Sequence, residues 1–208
     1  MNTDTQVDNT IVGNKENGGG QGGSRWRIAA WAVAALLLLL PLVAMRFSDE
    51  VNWSVGDFVI AGALLVGVGV TFELAVRMTG NIAYRAAVGV AVAAAFLLIW
   101  VNGAVGIIGS EDNYANLMYV GVLAVGFIGS VIARFRPHGM ALAMFATAVA
   151  QVLVAAIALI AGLGASGPIW PIGFMVATTF FTALWLGSAT LFRSADQELA
   201  ARAAETEI

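Results

Sequence analysis

Six apolar stretches dominate the sequence, at 26–45, 58–76, 86–108, 117–133, 141–162 and 169–192. Each is close to the roughly 20 residues that an α-helix needs to cross the hydrocarbon of a bilayer. Lipid offers no partner for an unpaired backbone amide, so a crossing segment must be a helix or part of a closed barrel. None of the stretches alternates as barrel strands would, and all six are expected to be helices. Over the 208 residues, 60% are hydrophobic and 11% charged. An average soluble domain carries about 25% charged residues, so this chain cannot clothe a water-soluble globule. The fold class expected is all-α: a polytopic membrane protein built as a six-transmembrane-helix bundle.

The cations orient it. With the amino terminus in the cytoplasm, Lys15, Arg25, Arg27, Arg77, Arg85, Arg134, Arg136, Arg193 and Arg202 fall inside, and only Arg46 falls outside. The outer connections carry Asp49, Glu50, Asp57, Glu111 and Asp112 instead. This follows the positive-inside rule, and an even span count leaves both termini cytoplasmic. The first stretch reads as a retained signal-anchor: a long polar segment precedes it, and Val43-Ala44-Met45-Arg46 is a poor cleavage site. Trp26 and Tyr84 fall at inner boundaries and Trp53, Trp100, Tyr119 and Trp170 near outer ones, where aromatic rings anchor in the headgroup region.

Residues 1–24 are polar and glycine-rich and read as a disordered cytoplasmic tail. Residues 25–193 hold the spans. Residues 194–208 read as a short cytoplasmic helix or tail, with Ser194 and Gln197 at capping-box spacing.

The second and fourth spans share Gly-x-Leu-x-Val-Gly, at Gly62 to Gly67 and Gly121 to Gly126; the same 59-residue offset aligns Arg77 with Arg136 and Gly80 with Gly139. A chain with 24 glycines produces such matches by chance, so duplication stays open beside coincidence. Helices gain no hydrophobic drive by meeting in lipid and associate through small residues. Gly67 and Gly69, Gly126 and Gly129, and Ala143, Ala146 and Ala150 are the expected packing stripes, within one subunit or in a homo-oligomer.

Several chemistries are excluded. With no cysteine there is no disulfide, thiolate metal site or cysteine nucleophile, and the one histidine, His138, cannot build a multi-histidine metal cage. A net charge of -3 offers no field for nucleic acid. No cofactor is expected, no metal site, and no catalytic group.

An ionisable residue inside a span is a candidate site by default. Glu73 is the only such acid, near the cytoplasmic end of its span, with Arg77 four residues on in the favourable acid-before-base order. It reads as an interfacial ion pair or as a gate carboxylate. Asn102, among Gly103, Gly106 and Gly109, could bond a neighbouring helix where the third span loosens; Gln151 lies nearest mid-depth and reads as an interhelical bonding group. Arg134 and Arg136 flank a short inner loop and could bind an anionic lipid headgroup.

Three functions follow from these residues. The first is a non-catalytic structural, accessory or partner-binding subunit, supported by short loops, small-residue faces and the lack of a mid-depth charge network. The second is a small-solute or ion transporter or channel using Glu73, Asn102 and Gln151. An intramembrane enzyme comes last, because no nucleophile–base pair or acid dyad is present. A nearly lysine-free, alanine-rich composition points to a bacterial gene and the inner membrane.

Overall fold

The computed structural model describes residues 21–47, 53–165, 167 and 170–206. Most of the expected amino-terminal tail lies outside them. The described residues form six α-helices, α1 (Gln21–Ala44), α2 (Val55–Met78), α3 (Ile82–Ala104), α4 (Met118–Ile132), α5 (Pro137–Ile160) and α6 (Ile172–Thr206), with a 3-10 turn at Tyr114–Leu117 before α4. Among the described residues, α2, α3, α5, α6 and α4 together with its preceding 3-10 turn (Tyr114–Ile132) are long and apolar enough to cross a membrane; in α1 the described apolar run is Ala34–Ala44.

The chain divides into two units, the first ending at Gly69. In the first, α1 and the start of α2 form a hairpin. A Cβ at Gly69 would stand 3.1 Å from the Trp31 ring, and one at Gly62 would stand 4.0 Å from Leu38. Both pairs step by seven residues, or two helical turns, so Gly62 and Gly69 of α2 face large side chains of α1. Ser54 starts α2: Asp57 Oδ2 accepts from the Ser54 amide at 2.7 Å and its hydroxyl at 2.8 Å. This is the reciprocal cap that an isolated helix start needs.

The second unit, from Val70 onward, is held by α6. Its neighbours are α3 and α5, and α4 packs on the far side of α5. The order α3–α6–α5–α4 leaves α3 and α4 at opposite ends of the row. Along α6, Phe174, Phe181, Trp185, Ser188, Phe192 and Ala195 recur at steps of three, four and seven and are all buried. That spacing turns one face of the helix to its partners. The Ser188 hydroxyl donates to Ala87 O at 2.9 Å and fastens α6 to α3.

Close approach of α4 and α5 comes from small residues. A Cβ on Gly129 would sit 2.9 Å from the Ala143 Cβ, and one on Gly139 would sit 2.6 Å from the Ala133 Cβ. Gly126 faces Thr147 at 3.0 Å in the same sense. The face of α5 is therefore Gly139, Ala143 and Thr147, at i, i+4 and i+8. Ala146, expected in this stripe, is exposed, and Ala150 is half-buried, because the true face lies about one position away on the helix wheel. The glycines matched by the 59-residue offset do different jobs. Gly126 and Gly139 are packed tightly, whereas a Cβ on Gly67 or Gly80 would have no neighbour within 4 Å.

Boundaries shift for local reasons. Asn81 caps α3 by accepting from the Tyr84 amide at 2.9 Å, so the helix starts before the apolar run does. It stops at Ala104, and Gly106 (φ +67) and Gly109 (φ +80) then turn the chain through left-handed conformations suited to glycine. Ile107 and Ile108, expected inside the span, are buried in this loop instead. Pro137 opens α5, a position where its missing amide costs nothing. Beyond Phe192 there is no new helix start. The Ser194 hydroxyl donates back to Thr190 O at 3.1 Å rather than capping, and α6 continues to Thr206. At 1.5 Å per residue its 35 residues reach about 52 Å, some 20 Å more than the hydrocarbon is thick.

Two of the expected interfacial aromatics are core residues. Tyr84 and Tyr119 are 7% and 1% exposed. Burial of the ring among neighbouring helices outweighs the headgroup preference for both.

Substituting Gly129 by Leu should lower the thermal unfolding temperature in detergent, by the equivalent of about 1–3 kcal/mol for an overpacked contact. The same change at Gly121, where an added Cβ meets nothing within 4 Å, should leave the temperature nearly unchanged.

Candidate functional site

The two ends of the second unit differ in chemistry. One carries Arg85, Arg134, Arg136 and Arg193 and is called the arginine end. The other carries Asn102, Asn113 and Asn116 and is called the asparagine end.

At the arginine end, Arg85 caps the preceding helix. Its Nη2 donates to Val76 O at 2.8 Å and its Nε to Thr79 O at 2.9 Å. A cation placed on the orphan carbonyls of a helix C-terminus is favoured by bonding and by the dipole. Two further links hold the root of the α6 projection: Asn81 Nδ2 donates to Glu198 Oε2 at 2.9 Å, and His138 Nδ1 lies 3.2 Å from Asp196 Oδ2. The Tyr84 hydroxyl donates to Phe135 O at 2.7 Å, tying the start of α3 to the α4–α5 turn. That turn is tight, with Arg134 and Phe135 both at positive φ, 49° and 57°. Such conformations are uncommon outside glycine and cost energy that the neighbouring bonds must offset.

At the asparagine end, Asn116 organises the loop. Its Oδ1 accepts from the Ile107 and Ile108 amides at 3.1 and 2.8 Å, and its Nδ2 donates to Ser110 O at 2.6 Å. Its own carbonyl accepts from Asn102 Nδ2 at 3.2 Å. Asn113 Nδ2 reaches Leu163 O at 2.7 Å and joins this loop to the end of α5.

α3 and α4 are therefore bridged at both ends, by Tyr84–Phe135 and by Asn102–Asn116, and stand apart between. The gap is a cavity of about 470 Å³. Its walls are Val88, Ala91, Val92 and Ala95 on α3 and Leu123 and Phe127 on α4. Met140, Met144 and Trp185 form its floor, with Leu74 and Ala75 of α2 at its side. The Ser130 hydroxyl on its lining is turned back to Gly126 O at 2.7 Å. The cleft is apolar.

The residues singled out from sequence do not converge. Glu73 and Arg77 pair with each other at 2.9 Å near the end of α2, the arginine largely exposed. Asn102 stands at the opposite end of the unit, bonded to Asn116, with its Oδ1 buried and unpartnered. Arg134 and Arg136 are exposed on the α4–α5 turn.

Gln151 is fully buried, and neither end of its amide has a partner among the described residues. Register places it. Gly126 faces Thr147, so one turn further Val122 lies level with Gln151. His138 meets Asp196, and thirteen residues along each helix bring Gln151 level with Ala183, next to Thr182. The Tyr119 hydroxyl lies beside that of Thr178, and the Thr182 hydroxyl has no hydrogen-bond partner among the described residues. Tyr119, Gln151, Thr178 and Thr182 thus make a polar layer on α4, α5 and α6, with Tyr119 and Gln151 buried and the two threonines half-buried. It is not continuous with the cleft lining, and it contains no ionisable acid or base that could carry a proton at neutral pH.

Asn116, Asn113, Tyr84 and Phe135 were missed by sequence reasoning. The signal for the asparagines was available: two of them, three residues apart, stand directly before an apolar run, where side-chain amides cap. Nothing in the sequence marks the Tyr84–Phe135 bond, which is set by tertiary packing. Among the described residues no three His, Asp or Glu side chains gather to hold a metal. Comparison of the chain with protein-family models, with curated proteins and with solved structures finds no match.

Replacing Asn116 with Leu should destabilise the protein by about 2 kcal/mol or more, because several buried amides and carbonyls lose their partner together. Gln151→Leu should be neutral or stabilising, since it removes donors and acceptors that are already unpaired. Chemical denaturation of the two variants in the same detergent compares them directly.

Proposed function

We propose that this chain is a non-catalytic integral membrane protein, an accessory or scaffold subunit that works by binding a protein partner. In this reading α1 also crosses, giving six spans with both termini in the cytoplasm of a bacterial inner membrane. The nine-to-one division of cations between the two sides supports that orientation.

The observation that carries the assembly reading is α6. It continues as one helix well past the hydrocarbon, and its first turns beyond Phe192 are held by Asn81–Glu198 and His138–Asp196. Residues 199–206 are exposed all round. A helix fixed at its root and bare at its tip is suited to presenting a surface. The polar residues within the bundle support the same view. Glu73 is engaged by Arg77, Asn102 bonds the loop at the opposite end, and Gln151 is fully buried, so the three do not come together as a solute site would need.

The chain's lack of cysteine makes topology simple to test. Ala203→Cys should react with an impermeant maleimide only after the membrane is opened, and Asp112→Cys should react in intact cells. Labelling of both from one side would reject the six-span arrangement. For assembly, a photo-reactive residue at Leu199 or Ala203 should give a discrete protein adduct in native membranes that one at lipid-facing Phe145 does not. A monomer without adducts, together with ion or solute flux in proteoliposomes that Glu73→Gln abolishes, would favour a transporter instead.

A further inference from the structure

The cleft between α3 and α4 is fastened at both ends and lined by apolar side chains between them. An apolar void of this kind loses dispersion contacts along its whole lining unless something fills it. We infer that it seats one acyl chain of an anionic glycerophospholipid from the surrounding bilayer, with the phosphate held by Arg134 and Arg136.

Size selects the occupant. At roughly 30 Å³ for a water-sized group, about the volume of a methylene, the 470 Å³ cavity holds some sixteen such groups. That is one acyl chain. Ten residues of helix, about 10 Å across and 15 Å long, would need ~1,000 Å³. A helix of a partner or of a second copy is too large.

Chemistry agrees. The lining is aliphatic and aromatic, and its hydroxyls are engaged: Tyr84 bonds Phe135 O, Ser130 bonds Gly126 O, and Thr71 has a partner as well. One donor on the floor, Trp185 Nε1, is buried without a partner among the described residues. Against that single donor a polar ligand would be desolvated with little return, whereas a hydrocarbon chain is not.

The charge around the mouth supplies the headgroup. At the arginine end, Arg85 is bonded to the carbonyls of α2, and Arg77 is paired with Glu73. Arg134 and Arg136 have no side-chain partner among the described residues and are exposed. Phe135, between them, lines the cleft. The turn therefore offers an apolar ring to the cavity, flanked in sequence by two exposed arginines. Guanidinium groups match phosphate oxygens in a bidentate fork. The site stands independently of any protein partner, so its test does not bear on the assembly reading.

The full chain is reconstituted in phosphatidylcholine bilayers containing one part in four phosphatidylglycerol and extracted into detergent; retained lipid is then counted by native mass spectrometry. One phosphatidylglycerol per chain is expected, in preference to phosphatidylcholine. The double variant Arg134→Gln, Arg136→Gln, on an exposed turn, should weaken that retention about thirtyfold. Ala91→Trp, which fills the cleft with the arginines intact, should also abolish it, and Leu123→Trp serves the same end if Ala91→Trp fails to fold. Equal retention of the two lipids, or full retention by the arginine variant, would overturn the inference. So would loss on changing the arginines but not on filling the cleft, which would mean surface attraction of headgroups without a seated chain.

Discussion

Helices immersed in acyl chains gain nothing from hiding apolar surface from one another, so their contacts must come from closeness and from hydrogen bonds. The α4–α5 seam shows what that requires. Gly126, Gly129 and Ala133 on one helix meet Thr147, Ala143 and Gly139 on the other, with no room for an added methyl at either tight glycine. Everything else in the second unit is referred to this seam. It sets the level of Gln151 and Tyr119, and it brings the Phe135 turn under Tyr84. It also leaves α4 on the far side of α5, away from α3.

That separation explains the cleft. A closed four-helix bundle would pack α3 against α4 along their length. Here the small-residue seam binds α4 to α5 so firmly, and Ser188 and the aromatic stripe bind α3 to α6, that the row cannot close. Only the two ends reach across, each through a polar side chain meeting a backbone carbonyl: Tyr84 to Phe135 O, and Asn102 to Asn116 O. Short polar groups bridge where loops approach; long apolar faces stay apart where nothing bonds them.

Much of this could be read from the chain itself. Helices across the apolar runs, the Glu73–Arg77 pair, and the use of Gly126, Gly129 and Ala143 for close packing all follow from composition and i, i+4 spacing. What could not be read is governed by tertiary contact. Periodicity alone did not separate Ala146 from Thr147, because alanines lie on every side of α5 and carry no sense of direction. Hydropathy extended the third span over Ile107 and Ile108, since it cannot see that Asn116 takes both amides and buries them in a loop. Sequence marks Gln151 as a group that bonds a neighbouring helix, but it does not say which, and its amide has no partner among the described residues. The cleft had no signature at all, for an empty space is a property of which helices fail to meet.

The length of α6 has a mechanical side. No break separates its apolar half from its exposed end, and the bonds to Asn81 and His138 hold it to the other helices as far as Glu198, so residues 199–206 extend as about 12 Å of unsupported rod. A helix that short is marginal on its own in water, so the order of Leu199, Arg202 and Glu205 is borrowed from the continuous helix beneath them.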